Sequence, residues 1–457
     1  MESSADDTLS SPTLALQNLK IGGDQKETIA LSDPNVLLQV ARDCKAKDGD
    51  PVDEDASSLD DQERKRLAQY LRDHVPIFSE LEDLRQKGWK NPAGDEYFKK
   101  QRFHTDHANH DTSLNFLRMM QLAADKLQRA TNIFTLVPTD ARRPPTVLGF
   151  GFAPGGFLQK ILLENVHVLI WGITLPESLG GIPVLISDFP CPQHQSPFHR
   201  GGGSTGFVAH PIRLQVIAAD ITMMAADLGM LPDEIPASHP DAIAHNFLLR
   251  RQLPPLQRFD LVTCEAGVLR PHHAVHAGAH REHGEHIRLR AAQLALAVAR
   301  VKPGGSMIVL MHKAESSDSV RMLWLFSQFC RVRLFKPDGP HHYKSSFYMV
   351  ATDVQSQSEP ALKAVKRWVA EWKMATFGSV DKCLDKMKKE AIGVEELLQV
   401  FGHEWVRLGN EVWETQLQGL RMKSFTKNAN RGGHSGLDRG RGESNKDEEE
   451  GGVSAAQ

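Results

Sequence analysis

Cysteine is scarce and unpaired in this chain of 457 residues. The five present (Cys44, Cys191, Cys264, Cys330 and Cys383) form no C-x-x-C pair. That excludes a zinc ribbon or a CxxC redox motif and reads as reduced intracellular thiols. An excess of either charge is missing too: 54 Lys and Arg against 57 Asp and Glu leave a net charge of −3. No global basic field announces a nucleic acid, so any such surface has to be local. No apolar run reaches the roughly 20 residues needed to span a bilayer. The first residues, Met1-Glu-Ser-Ser-Ala-Asp-Asp7, are polar and acidic, unlike a signal or transit peptide. The expectation is an intracellular protein, nuclear or cytoplasmic, with no membrane partner. What is present, 40% apolar and 24% charged residues, suits a globular core with disordered ends.

The pattern divides the chain. Residues 1–60, rich in Ser, Asp, Gly and Lys, predict a mostly disordered arm. Residues 61–143 read as a helical N-terminal extension. Leu67, Tyr70, Leu71, Phe78, Leu81 and Leu84 recur at helical spacing, and Pro76 ends or kinks that run. A second amphipathic stretch covers Asn115 to Ala130. From 144 to 353 strand signals (146–150, 166–173, 214–218, 259–264, 306–312 and 346–352) alternate with helix signals (157–164, 221–229, 288–301 and 318–329). That alternation predicts an α/β fold with a mostly parallel sheet and helices on both faces. Residues 183–211, rich in Pro, Gly and His, read as a disordered insertion. Residues 359–420 predict a helical C-terminal subdomain, and 421–457 a disordered tail with two Arg-Gly islands and an acidic run.

Thr146-Val-Leu-Gly-Phe-Gly-Phe-Ala-Pro-Gly-Gly-Phe157 is the most informative stretch. An apolar strand runs into a glycine turn and then a helix start, the place where an open α/β sheet receives a nucleotide-like ligand. The Pro in the loop argues against a dinucleotide fingerprint. Downstream, Arg258 to Gly267 is a short strand ending in Glu265. Lys302-Pro-Gly-Gly305 forms a turn, Ser306 to Lys313 is a strand ending in lysine, and Lys344-Ser-Ser-Phe-Tyr-Met-Val-Ala351 is a late strand.

In that order, these pieces over residues 110–353 resemble the FtsJ-like (RrmJ-like) RNA 2′-O-ribose methyltransferases that use S-adenosylmethionine, with a flavour of fungal members. The resemblance implies a Rossmann-like methyltransferase sheet and an RNA partner, with no DNA. It implies that Gly151, Ala153, Pro154, Gly155, Gly156 and Phe157 cradle the cofactor, with Thr174 and Asp220 at its ribose and adenine. Gly155→Val is then expected to fill the space of the cofactor's methionine. The family's catalytic Lys-Asp-Lys-Glu set maps onto Lys313 as the central lysine, which acts on the proton of the acceptor hydroxyl, and onto Glu265 in place of Asp, which holds that ammonium or the ribose. Arg118 and Lys126 are both candidates for the first lysine.

The match is uneven. The family's Asp before the glycine loop is Gly149 here, its second-strand acid is Thr174, and its last Glu falls on Phe347. Three functional readings therefore stand: an RNA ribose methyltransferase acting on cap, rRNA or tRNA, an S-adenosylmethionine-dependent enzyme with another acceptor, or an impaired member serving as a binding scaffold. The histidines from His272 to His286 lack the cysteine or spaced carboxylate that would complete a metal site, and no metal is expected. Lys99, Lys100, Arg102, Arg118, Arg142, Arg143, Lys336 and Lys344 are the candidates for a local basic face. Their convergence and the oligomeric state are not legible in the pattern.

Overall fold

Seven short runs of aliphatic and aromatic residues pair into one sheet: β1 Thr146–Phe150, β2 Leu169–Thr174, β3 Leu214–Ala218, β4 Phe259–Cys264, β5 Val301–His312, β6 Arg331–Phe335 and β7 Ser346–Val354. Their order is β3-β2-β1-β4-β5-β7-β6. A computed structural model describes residues 56–106, 110–137, 143–186, 213–268, 284–339 and 341–426. The arm before residue 56, most of the predicted insertion, the histidines His272 to His283 and the Arg-Gly tail lie outside them. The helices are α1 Ala56–His74, α2 Phe78–Lys90, α3 Pro92–Asp106, α4 His110–Thr131, α5 Gly156–Glu164, α6 Pro240–Ile243, α7 Glu285–Arg300, α8 Ser317–Ser327, α9 Glu359–Phe377, α10 Val380–Lys389 and α11 Val394–Arg421.

Strands β1 to β5 pair parallel, while β7 runs antiparallel to both β5 and β6. The sheet order reverses between β1 and β4, and at such a switch point an open α/β sheet receives its ligand outside the carboxyl ends of the strands. Strand alternation splits the core in two. Val147, Leu261, Ile308 and Val350 face α4 and α5. Leu148, Val262, Cys264, Met307, Val309 and Met349 face the opposite core, which α1, α2, α7, α8, α9 and α11 share. Trp368, Trp372, Trp405 and Trp413 are fully buried in that second core. The N- and C-terminal helices are thus bound into the same hydrophobic body as the sheet, because large rings carry much of its buried area.

Three expectations differ from the structure. The helix over 221–229 reduces to a 3-10 turn, Ile221–Met223, followed by turns that end at Gly229 with φ +85°. Nearly all of this stretch is buried, so its apolar spacing had no solvent face to mark a helix. The Lys302-Pro-Gly-Gly305 turn lies inside β5: Val301 pairs with Phe259 and Ser306 with Leu261, so the four residues bulge out, with Gly304 at φ +77°. Strand β6 was not foreseen. Arg331 and Arg333 alternate with Val332 and Leu334 on an exposed edge, and its charges hid the pattern.

Among the described residues no helix is long and apolar enough to cross a membrane. Cys264, Cys330 and Cys383 are free thiols. Cys44 and Cys191 lie outside the described residues.

Candidate active site

β1 delivers the glycine loop to the crevice, and backbone hydrogen bonds stitch it to both neighbouring strands. Gly151 N donates to Ile173 O at 2.8 Å, and Glu265 N donates to Phe150 O at 2.9 Å. Gly151 holds φ +65°, and a Cβ there would stand 2.3 Å from Ala266 Cα, so only glycine fits. At Gly156 a Cβ would stand 2.5 Å from Met120 Cβ, so its absence lets α4 cross the start of α5. Ala153, Pro154 and Phe157 are buried. The Phe157 ring meets Phe134 edge to face, with centroids 5.6 Å apart. These side chains anchor the loop.

Thr174 closes β2, 7% exposed, and its carbonyl accepts from Ala219 N at 2.9 Å. Asp220 follows β3 and caps the 3-10 turn: Oδ1 accepts from Thr222 N at 2.9 Å and from Thr222 Oγ1 at 2.7 Å. At Gly149 the space of the family's Asp is taken, because a Cβ would meet Leu158 Cδ1 at 3.1 Å and Thr263 Oγ1 at 3.3 Å. The residues present fit the implied cofactor in part. A glycine backbone, the first amides of α5 and the Asp220 carboxylate are there, but Thr174 brings one hydroxyl where a diol-binding acid is usual.

One contact alters an expectation. Leu185 N donates to Pro154 O at 3.0 Å, which lays Val184 to Ile186 against the loop. A Cβ on Gly155, itself at φ +117°, would stand 2.2 Å from Ile186 Cγ1. Gly155→Val would therefore strike the chain's own strap rather than open cofactor space.

Glu265 ends β4 on the α4–α5 side of the sheet. It is 8% exposed, and among the described residues neither carboxylate oxygen has a hydrogen-bond partner. Burial pushes its pKa up to about 8; the Thr263 hydroxyl is near enough to pull the other way but falls short of a hydrogen bond. Cys264 pairs with Val309, so Glu265 lies level with Leu310, and Leu310 pairs with Tyr348. Burial, and then the Glu265 charge, raise the pKa of the Tyr348 phenol. From α7, Gln293 Nε2 donates to Ala266 O at 3.4 Å, and its buried Oε1 has no partner.

Lys313 stands three residues beyond Leu310, roughly 10 Å further along the strand. The sequence pairing of Lys313 with Glu265 is thus stretched by the register. Lys313 adopts φ +57°, rare for a residue with a side chain; its N–H donates to Ser345 O at 2.9 Å, and its carbonyl accepts from Ser316 N at 2.9 Å. The turn after it is held from several sides. Trp405 Nε1 donates to Ala314 O at 3.0 Å, Arg85 Nη1 to Glu315 Oε1 at 2.6 Å, and Trp413 Nε1 to Glu315 Oε2 at 3.2 Å. Lys313 lines a cleft of about 1200 Å³ together with Trp89, Trp324, Arg321, Met387 and His286.

The Phe347 expectation is corrected. Phe347 is fully buried in the core on the face opposite Glu265, so a carboxylate there would enter hydrocarbon and not the site. Of the two candidates for the first lysine, Arg118 is exposed and bonds Asn115, while Lys126 pairs with Asp338 at 2.8 Å. The helix meets the glycine loop through Met120 and Gln121 instead. Sequence reasoning missed Tyr348 and Gln293, which only the strand register and helix packing bring to Glu265. No group of His, Cys, Asp and Glu able to hold a metal ion occurs among the described residues.

Solved methyltransferase structures are similar to this chain at low identity. An O-methyltransferase family protein from Burkholderia thailandensis is 11% identical, with 64% of this chain and 72% of that chain covered and a TM-score of 0.26. Human N-acetylserotonin methyltransferase, solved with S-adenosylmethionine, is 12% identical over 63% and 70%, with a TM-score of 0.27. NodS, an N-methyltransferase from Bradyrhizobium japonicum, is 11% identical over 50% and 93%, with a TM-score of 0.25. At such scores they carry no argument about this chain. No curated protein matches significantly. The FtsJ-like methyltransferase family model matches residues 120–354, from α4 through β7 and more than half of the chain. With the glycine loop seated at the sheet's switch point, the chain belongs to the FtsJ-like methyltransferases, which use S-adenosylmethionine.

Proposed function

We propose that the protein methylates the ribose 2′-hydroxyl of an RNA strand, in a cap, an rRNA or a tRNA. The observation that carries this reading is the buried, unpartnered carboxyl of Glu265 beside the glycine loop. Bound S-adenosylmethionine supplies an electrophilic methyl group. The backbone of residues 151–156 and the first amides of α5 would hold its methionine part, with Thr174 at the ribose and Asp220 at the adenine. Methyl transfer is an in-line displacement, so the acceptor oxygen must be positioned and must lose its proton. With its pKa raised to about 8, Glu265 is a stronger base than an ordinary carboxylate, and its ionised form, a minority at neutral pH, takes that proton. Lys313, at the acceptor side, brings a positive charge to the oxygen as negative charge develops on it. The reading places the protein inside the cell, in nucleus or cytoplasm.

The test is transfer of tritiated methyl from S-adenosylmethionine onto total RNA, followed by nuclease digestion. Label is expected in 2′-O-methylated nucleosides and is lost in Lys313→Ala and Glu265→Gln, with cofactor affinity retained. Label in a base or in protein would end the ribose assignment.

Ile186 against Gly155 and Thr174 in place of an acid favour a second reading, an impaired member that serves as a scaffold. Absence of label with any RNA, despite measurable cofactor binding by calorimetry, would select it.

A further inference from the structure

The chain returns from β6 to β7 through residues 336–345, and lysines from two distant parts of the sequence meet there. Lys336 is 7% exposed, and its Nζ donates to Lys344 O and Ser346 O, each at 2.6 Å. Lys344 is half-buried, with Nζ 3.2 Å from His341 Nε2. Lys423 reaches in just beyond the end of α11. Its Nζ lies 4.1 Å from the Tyr343 ring centroid and 5.0 Å from that of Tyr97, and it donates to Tyr97 Oη at 3.1 Å. The two tyrosine hydroxyls are 2.9 Å apart.

Acidic partners are few. Glu315 is the carboxylate that acts on this group, and Arg85 already holds it at 2.6 Å. Asp338, in the same loop, is paired with Lys126 of α4. The cost of this crowding is visible in the cations. Burial, and then Lys423, lower the pKa of Lys344. Burial, then Lys344, Lys336 and Lys423, lower His341 to about 4. Burial, then Arg85, lower Lys336 to about 7, against the pull of Glu315.

Half-buried lysines that repel one another, with no acid of the described residues between them, gain when an anion enters. Lysine ammoniums suit a compact, multiply accepting oxyanion, which they hold as point charges. Lys344 is followed by Ser345, whose carbonyl accepts the Lys313 N–H, so the cluster abuts the acceptor side of the site.

We propose that Lys344, Lys423 and His341 form a phosphate-binding site beside Lys313. In the RNA reading above, on which this assignment of source rests, the site takes a backbone phosphate of the acceptor strand.

The experiment titrates the full chain with inorganic phosphate, read by thermal melting, and with a short single-stranded RNA, read by calorimetry at several salt concentrations. Wild type is compared with Lys344→Gln and with Lys423→Met, which keeps an apolar stem on the tyrosines. S-adenosylmethionine binding serves as the check that each variant is folded. Phosphate is expected to raise the Tm of wild type and not of the variants. RNA affinity is expected to fall roughly tenfold in the variants, with the salt slope reduced by about one. Phosphate binding without RNA binding would uphold the site, with a free phosphate compound as its source, and would sink the RNA reading. RNA binding with unchanged affinity and slope in folded variants would overturn the site and leave the RNA reading standing. Identical behaviour of wild type and variants toward phosphate would also overturn it.

Discussion

Arg85 and Glu315, 230 residues apart in the sequence, form an ion pair of 2.6 Å with side chains only 10% and 8% exposed. Arg85 also donates to Gln416 Oε1 at 2.5 Å, and Gln416 Nε2 donates to Tyr343 O and Ser345 Oγ, each at 3.2 Å. One helix from the N-terminal extension and one from the C-terminal region thus meet at the turn that follows Lys313. The flanking helices hold this turn in place.

Arg85→Ala leaves Glu315 buried without its counter-charge. Such a loss costs about 3–5 kcal/mol. Arg85→Met with Glu315→Leu removes both charges and is expected to cost much less. Urea unfolding measures both. A single variant within experimental error of wild type would refute the pair as a structural element.

Glu265 gives stability a sign with pH. Its folded pKa of about 8 lies above the unfolded value of 4.5, so the folded state binds the extra proton between them. The contribution is full below pH 4.5 and is lost as pH rises toward 8. Glu265→Gln is expected to remove this fall and, at pH 9, to be more stable than wild type by about 1–3 kcal/mol. Unfolding curves across that range decide it; parallel pH profiles would count against a buried, unpartnered carboxyl.

Lys336 acts with the opposite slope. Its folded pKa of about 7 lies below the unfolded 10.5, so the unfolded chain binds the proton more tightly between those values. Stability from this group rises as pH climbs from 7 toward 10.5. In Lys336→Met that rise should vanish, although the carbonyls of Lys344 and Ser346 lose their donor and overall stability drops. If the rise from pH 7 to 10 survives in the variant, it belongs to another group.

Two glycines with positive φ separate strain from collision. Gly304→Ala has open space around its Cβ and meets only the backbone penalty of φ +77°, about 1–2 kcal/mol. Gly151→Ala adds a contact of 2.3 Å with Ala266 Cα, which the stitched loop cannot relieve. It should be clearly the more damaging change in thermal melts, and the reverse order would contradict the packing of the loop on β4.

The order of strands and helices along residues 144–353 was legible because hydrophobic period and glycine punctuation are local properties of the chain. β1, β3 and β4 fall at the expected residues, and the glycine loop stands at a strand's carboxyl end as its sequence implied. The reversed direction of β7 was not legible, because periodicity within a strand carries no information about its partner. Nor was the edge strand β6, whose arginines face solvent.

The residue types of the site were visible in the sequence, but their neighbours were set by packing. Glu265 and Lys313 each end a strand, and sequence order made them a pair. The register sets them three residues apart and puts Leu310 and Tyr348 beside the carboxyl instead. Phe347 read as a lost acid and is a core residue, since one step along a strand moves a side chain to the other face. Ile186 against Gly155, Arg85 on Glu315 and Lys423 above Tyr343 join segments far apart in the chain. Local sequence determined where the elements form and which chemistry they carry. Only tertiary packing decided which of those groups are desolvated and which charges share one space.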